Sequence, residues 1–237
     1  MFAQAVATVV GTSVQTLVMS SHFFLKRCTL RIVRPHGAGR RFFRIISAGA
    51  GASVLDLGTV ILPVLMNNQI MRYGGTTELA VYGVAATVMS LFQALFGGVG
   101  QAIQPLVSAN HGAGNDGRNR SFFRMGLLTV GVMGIAFCAL GEFFPAALVA
   151  FFVRATPGLL SAAPLIVRIL FAQFPALGFD VLATYYLQSV MHKKSATAIA
   201  LARSLVFGGL FLAALPPLAG IVGVWVALPL AEFVTTA

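Results

Sequence analysis

The sequence predicts an all-α fold: a polytopic membrane helix bundle with about seven transmembrane segments. Of its 237 residues, 58% are hydrophobic and only 9% are charged, and the mean hydropathy is +0.89. A soluble domain carries about 25% charged residues, so this chain has too few charges to cover a water-facing surface. The apolar runs are also long enough for membrane-spanning helices, which need about 20 residues, and lack the short alternating pattern of barrel strands.

Seven apolar segments follow one another along the chain. Lipid offers no hydrogen-bond partners, so each segment that spans the bilayer must pair its backbone internally as a helix. The predicted segments are 2–25, 44–71, 79–107, 122–153, 160–191, 196–217 and 220–237.

Basic residues predict the orientation of these segments. The formal net charge is +10, from 16 Lys and Arg against 6 Asp and Glu. The stretch 26–44 holds one lysine and six arginines with no acid, and the third and fifth gaps between segments are also basic. The positive-inside rule places these gaps in the cytoplasm. Since the charges sit between apolar runs, a membrane role is favoured over nucleic-acid binding.

A glycine-rich loop at 110–120, NHGAGNDGRNR, contains a literal G-x-G-x-x-G at Gly112, Gly114 and Gly117. A dinucleotide site needs this pattern between a strand and a helix of a βαβ unit, whereas here membrane segments lie on both sides. The loop is therefore predicted to be a turn that binds no nucleotide. Pro105 is predicted to end or kink the preceding helix.

Enzyme signatures are lacking in the sequence. There is no G-x-S-x-G or H-E-x-x-H motif and no paired-acid spacing, and the cysteines Cys28 and Cys138 form no C-x-x-C pair. The sequence therefore predicts no catalytic residue, no metal site and no cofactor.

Two acids lie deep within apolar segments, Asp56 in the second and Asp180 in the fifth. A charge at that depth is costly and is by default a functional-site hypothesis. The alternative is a structural carboxylate that is satisfied by neighbouring hydrogen bonds. For Glu142 and Glu232, also in apolar stretches, a structural role is favoured.

Four stretches carry a family resemblance: NNQIMRYGGTTELAVYGVA, GVGQAIQPLVSANHGAGNDGRNRSFFR, FPALGFDVLATYYLQSVMHKKSATAIALARSLVF and AGIVGVWVALPLAEF. They resemble the multidrug and toxic compound extrusion (MATE) transporters, most closely the MepA-like branch. The resemblance implies twelve helices in two lobes. Residues 1–25 would be the last helix of a missing N-terminal lobe, 26–44 a basic cytoplasmic inter-lobe linker, and 45–237 the C-terminal six-helix lobe with its last helix truncated.

That resemblance implies a multi-pass protein of the plasma (inner) membrane that exports drugs or organic cations in exchange for Na⁺ or H⁺. Its partners would be the lipid bilayer, the exported molecules and a separate N-terminal lobe. Some family members hold their coupling cation with acids on helices seven and ten, where Asp56 and Asp180 fall. In that pattern a tyrosine precedes the helix-ten acid by one turn; here Ala176 takes its place.

Residue type suggests which side chains line an adaptable substrate cavity. The candidates are Gln93, Phe96, Gln101, Gln104 and Tyr185.

Two other functions remain open. One is an inactive fragment of a split or mis-called transporter gene. The other is a lipid-linked oligosaccharide flippase of the same superfamily. Its anionic lipid would require basic residues in the cavity, and the two that lie inside apolar segments, Arg168 and Arg203, are both near segment ends.

Overall fold

The computed structural model describes residues 2–21, 39, 42, 60–152 and 157–237. These parts of the chain are helical, joined by short turns, and contain no β-strand, as the sequence predicts. Asp56, Cys28 and most of the predicted linker 26–44 lie outside the described residues.

The chain divides into two compact units, Met1–Ser47 and Ala48–Ala237. In the first, the described helix is α1 (Phe2–Ser21). The second holds α2 (60–73), α3 (Thr76–Gly112), α4 (Asp116–Phe143), α5 (Pro145–Phe152), α6 (Pro157–Phe171), α7 (Phe174–Ser189), α8 (Lys193–Leu201), a π-helical turn (Ala202–Phe207), α9 (Gly208–Ala214) and α10 (Pro216–Thr236).

Within the described residues, four helical stretches are long and apolar enough to cross a membrane. They are α3, α4, the stretch Lys194–Ala214 and α10. Together, α6 and α7 would form a fifth span, bent by 41° where the two helices meet. The predicted segment 160–191 is therefore two helices with a bend, and Pro175 lies in the first turn of the second.

An aromatic cluster forms the centre of the second unit. Phe92 stacks on Phe137 with ring centroids 4.3 Å apart, and it meets Phe171 and Phe174 edge-on at 5.9 and 5.7 Å. Phe96 adds an edge-on contact to Phe137 at 5.5 Å. Such ring pairs contribute beyond the apolar area they bury, and they join α3, α4, α6 and α7 into one core.

Glycines on α4 let this helix pack closely against its neighbours. A Cβ at Gly134 would lie 2.9 Å from the backbone oxygen of Phe174 and from Cα of Pro175. At Gly126 it would lie 2.9 Å from the side chain of Leu182. Small residues of this kind are typical of membrane helix interfaces, because they allow two backbones to approach.

The glycine-rich loop is a tight turn between two membrane-spanning helices. Of the two alternatives predicted at Pro105, an end or a kink of α3, the end is wrong, since the helix continues through the proline to Gly112. Of the three loop glycines, only Gly114 has a positive φ, at 70°. Gly112 ends α3 and Gly117 lies in the first turn of α4.

Substituting Gly114 tests this turn. Gly114→Ala is expected to lower stability by about 1–2 kcal/mol, because the left-handed backbone is unfavourable for a residue with a Cβ. Gly112→Ala is the matched control: it is helical and has nothing within 4 Å of a new Cβ, so it should leave stability unchanged or raise it slightly. Thermal unfolding in detergent measures both. Equal melting temperatures for the two variants would contradict the turn geometry.

Candidate functional site

A cavity of about 620 Å³ opens between α3, α7 and the π-helical turn. Its volume falls within the range of small-molecule sites, about 300–1,000 Å³. Its lining mixes amides and hydroxyls with small apolar side chains: Ser90, Gln93, Ala94, Gly97, Gln101, Val181, Thr184, Tyr185, Gln188, Ala200, Arg203 and Ser204.

Helical spacing explains how α3 contributes to this lining. Gln93, Gly97 and Gln101 lie at successive i, i+4 positions and therefore share one face of the helix. A Cβ at Gly100 would overlap the ring of Tyr185, so this glycine lets the tyrosine lie directly on α3. The side-chain amide of Gln101 donates to the Tyr185 hydroxyl at 3.4 Å. Together these contacts hold Tyr185 against α3 in the cavity lining.

The π-helical turn Ala202–Phe207 supplies Arg203 and Ser204 to the cavity. The Ser204 hydroxyl is bound to its own helix, donating to the backbone oxygen of Ala200 at 2.7 Å. The Arg203 side chain reaches α10, where its Nη1 lies 3.6 Å from Oε2 of Glu232. π-helical turns within longer helices occur frequently at functional sites, and the sequence analysis did not anticipate this one.

A smaller cavity of about 190 Å³ shares three lining residues with the larger one: Gln93, Arg203 and Ser204. The rest of its lining is more apolar and includes one acid. These residues are Leu62, Pro63, Tyr82, Met89, Gln173, Leu177, Leu228 and Glu232. The two cavities therefore adjoin at Arg203.

A buried charge cluster joins α7, the π-helical turn and α10. Asp180 is 2% exposed, and its Oδ1 accepts a hydrogen bond of 3.0 Å from the Thr236 hydroxyl. Glu232 adjoins Asp180, and its Oε2 lies 3.6 Å from Nη1 of Arg203. Among the described residues, no hydrogen-bond donor reaches Asp180 Oδ2 or Glu232 Oε2; the two carboxyl groups instead contact each other beside the guanidinium. Two carboxyl groups in contact away from water favour binding of a cation or a shared proton.

Three of the five predicted cavity residues line a cavity, and two do not. Gln93, Gln101 and Tyr185 line the larger cavity. Phe96 is fully buried in the aromatic core instead, against Phe137. Gln104 is half-buried on α3 and belongs to the lining of neither cavity.

The predicted coupling acids have different placements. Asp180 lies in the charge cluster and is not among the lining residues of either cavity, while Asp56 lies outside the described residues. Glu232, for which the sequence analysis favoured a structural role, is part of the cluster beside Arg203. One sequence signal could have identified this pair: an arginine and a glutamate within apolar helices each require a partner of opposite charge. The described parts of the chain contain no group of three or more His, Cys, Asp or Glu arranged to hold a metal ion.

A family model described as MatE matches residues 52–213, which is more than half of the chain. This chain belongs to the MatE family. Its fold is similar to that of an outward-facing multidrug resistance MATE transporter, with a TM-score of 0.84 and 19% identity, over 97% of this chain and 52% of that one. A MOP superfamily transporter from Pyrococcus furiosus Vc1 gives 0.83 at 19% identity, with the same coverage.

A third similar structure is a ligand complex of the MATE multidrug transporter DinF-BH. It has a TM-score of 0.80 and 26% identity, over 97% of this chain and 52% of that one. The chain thus spans about half the length of these solved MATE and MOP transporters. No curated protein matches its sequence. Membership in the MatE family, with its spanning helices, identifies a multi-pass membrane protein of a transporter family rather than an enzyme family.

Proposed function

We propose that this chain forms the substrate-binding and ion-coupling part of a MATE-type antiporter. It binds drug-like molecules, organic cations among them, and exports them across the plasma (inner) membrane in exchange for Na⁺ or H⁺. The observation that carries the proposal is the cluster of Asp180, Glu232 and Arg203, of which Arg203 also lines the cavity of about 620 Å³.

Charge balance explains why this cluster suits exchange. Asp180 and Glu232 face one guanidinium, that of Arg203. With both acids ionised, the described part of the cluster carries one excess negative charge, which a single cation neutralises. Because an uncompensated charge in the membrane interior is costly, a proton, Na⁺ or a cationic substrate would each bind there, but not two together.

Mutual exclusion of this kind is the basis of antiport. Binding of the coupling ion stabilises one conformation of a two-state transporter, and binding of the substrate stabilises the other. The cycle advances because each displaces the other from the same acids. Asp180 is the main coupling residue in this mechanism, and Glu232 is a second acid that sequence reasoning had not assigned to it.

The alternative functions have less support. A flippase for anionic lipid-linked sugars needs several cationic side chains in its cavity. Among the described lining residues Arg203 alone is cationic, and it already faces Glu232. An inactive fragment would have no reason to retain ligand binding that responds to ions.

Binding to the purified chain in detergent tests the proposal. Fluorescence anisotropy of the cationic dye rhodamine 6G should show saturable binding. Na⁺ in place of choline, at constant ionic strength, or a lower pH should weaken it, because either cation competes for the acids. No saturable binding, or binding insensitive to both Na⁺ and pH, would contradict the proposal and favour the inactive fragment.

A further inference from the structure

We propose that the outward-turned side of α4 is a binding site for an anionic phospholipid. Arg120 and Arg124 bind the headgroup, and the apolar side chains that follow them on the same side of the helix contact the acyl chains. The occupant is a lipid of the surrounding bilayer, selected over neutral lipids by its negative charge. This inference involves neither the cavities nor the acid cluster, so its test is independent of the proposed function.

The packing of α4 shows which of its sides is free for lipid. Gly126 and Gly134 are buried against the neighbouring helices. Arg124, Leu128 and Ile135 lie within about 40° of one another around the helix, at 100° per residue, and point roughly the opposite way. All three are exposed, Leu128 at 62% and Ile135 at 66%. A basic residue and a run of apolar ones therefore form one stripe along the helix.

The length of α4 places the two ends of this stripe at different depths. Its 28 residues make a helix of about 42 Å, close to the roughly 40–45 Å of a bilayer with its headgroups. Arg120 and Arg124 lie about 6 and 12 Å along the helix from Asp116, near the boundary between headgroups and hydrocarbon. Long side chains on a helix point back toward its N-terminus, so the Arg124 guanidinium reaches toward the level of Arg120. Leu128 lies about 6 Å deeper than Arg124, beside the acyl chains.

Both guanidinium groups lack a partner in the part of the chain that the structure describes. Neither Arg120 nor Arg124 forms an ion pair or a side-chain hydrogen bond there. Asp116 lies one turn before Arg120 without pairing with it, and Arg124 has no acid three or four residues away on either side. An arginine at the edge of the hydrocarbon layer requires an anion. A phosphate group suits it, because the guanidinium fork can donate two parallel hydrogen bonds to the phosphate oxygens.

Neighbouring positive charges strengthen this preference. Phe123 packs on Tyr186 with ring centroids 4.6 Å apart, so the end of α7 lies beside the start of α4. Lys194, after the turn that follows α7, is exposed, and so is Arg118 on α4. In the described stretches 110–126 and 189–203, Asp116 is the sole acid. Such a basic surface attracts the anionic lipids of the cytoplasmic leaflet, and this end of α4 is the one predicted to face the cytoplasm.

The stripe favours a lipid over other anions. A free phosphate ion could bind the two arginines, but it would leave the apolar side chains below them without a ligand. An acidic protein or a nucleic acid would stay in the water and could not follow the helix into the hydrocarbon layer. A phospholipid matches both parts, with its phosphate at the arginines and its chains along Leu128 and Ile135.

The test places a fluorescent reporter beside the site. Leu128→Trp adds a tryptophan on the exposed side of α4, whereas the chain's own Trp225 is 1% exposed and gives a constant background. The purified chain is reconstituted in vesicles of phosphatidylcholine and phosphatidylglycerol, with bromine on the chains of one lipid or the other as the quencher. Quenching should show about tenfold tighter binding of phosphatidylglycerol, at three- to fivefold for each arginine. A high KCl concentration should reduce this preference.

Substitutions in this reporter chain assign the preference to the two arginines. Arg120→Gln and Arg124→Gln should each lower it about three- to fivefold, and the double variant should remove it. Replacing both with lysine should keep part of it, since lysine keeps the charge without the fork. Arg168→Gln is the control: Arg168 pairs with Glu142, at the opposite end of α4, at 3.5 Å. It should leave the preference unchanged.

Two results would overturn this inference. One is equal binding of the two lipids by the reporter chain, which is also the result expected if another protein segment covers this side of α4. The other is a preference that survives in the double glutamine variant, because the attraction would then come from the basic surface as a whole. If the double variant does not fold, the single variants decide, since an unchanged preference in both would equally contradict the site.

Discussion

Replacing Asp180 with asparagine is expected to weaken rhodamine 6G binding at least tenfold and to abolish its dependence on Na⁺ and pH. Asparagine keeps the shape of the side chain and can still accept a hydrogen bond from Thr236, but it cannot be ionised. A charged hydrogen-bonding group contributes about 1.5–3 kcal/mol, or roughly 10- to 100-fold in affinity. Anisotropy titrations in Na⁺ and in choline, at two pH values, measure both effects.

Glu142→Gln is the control for this substitution, because Glu142 is about half exposed and pairs only with Arg168 among the described residues. It should bind the dye with wild-type affinity and ion dependence. If Asp180→Asn does the same, Asp180 is a structural carboxylate. The coupling site would then lie elsewhere, for example at Asp56, which the structure does not describe.

Gly134→Val is expected to destabilise the fold by about 1–3 kcal/mol or more, the usual cost of adding volume to a packed interior. The new Cβ would lie 2.9 Å from the backbone of Phe174 and Pro175. Since no side-chain rotation can relieve a clash with backbone, α4 and the start of α7 must move apart. Thermal unfolding in detergent and the monodispersity of the purified chain measure the loss.

Gly131→Val provides the comparison on the same helix. This glycine lies one turn earlier on α4 and has nothing within 4 Å of a new Cβ. Both variants place the same β-branched residue in the helix, so any difference between them reports tertiary packing. If Gly131→Val were as unstable as Gly134→Val, the instability of Gly134→Val would not be due to the close approach of α4 to α7.

The helices could be predicted from the sequence because the bilayer fixes their length and apolar character. The predicted segment 79–107 corresponds to α3, and 220–237 overlaps α10. The bend between α6 and α7 could not be predicted in the same way, since both helices are apolar and the run of hydropathy continues through it. Boundaries also shifted at Pro105, which α3 accommodates in its last two turns.

The site was predictable only in part, for a related reason. Asp180 stands out because a buried acid is rare in a membrane segment, whereas its partners Glu232 and Arg203 lie on other helices whose packing the sequence does not reveal. Residue type alone also cannot separate a cavity from a core. Gln93 and Phe96 are one turn apart on α3, yet the first lines the cavity and the second is fully buried.

The π-helical turn Ala202–Phe207 makes the position of Arg203 depend on the number of residues as well as on their identity. A π turn holds more residues than an α turn, so it is equivalent to an insertion within an otherwise regular helix. Because the π turn absorbs its extra residue locally, deleting one residue within 204–207 would restore α geometry while the two flanking helices kept their relative orientation. Gly208 and Leu212 would then keep their buried positions. A comparison with a relative that lacks the π turn therefore needs a one-residue gap at 202–207, because without it every residue after the turn is paired with a position about 100° away on the helix.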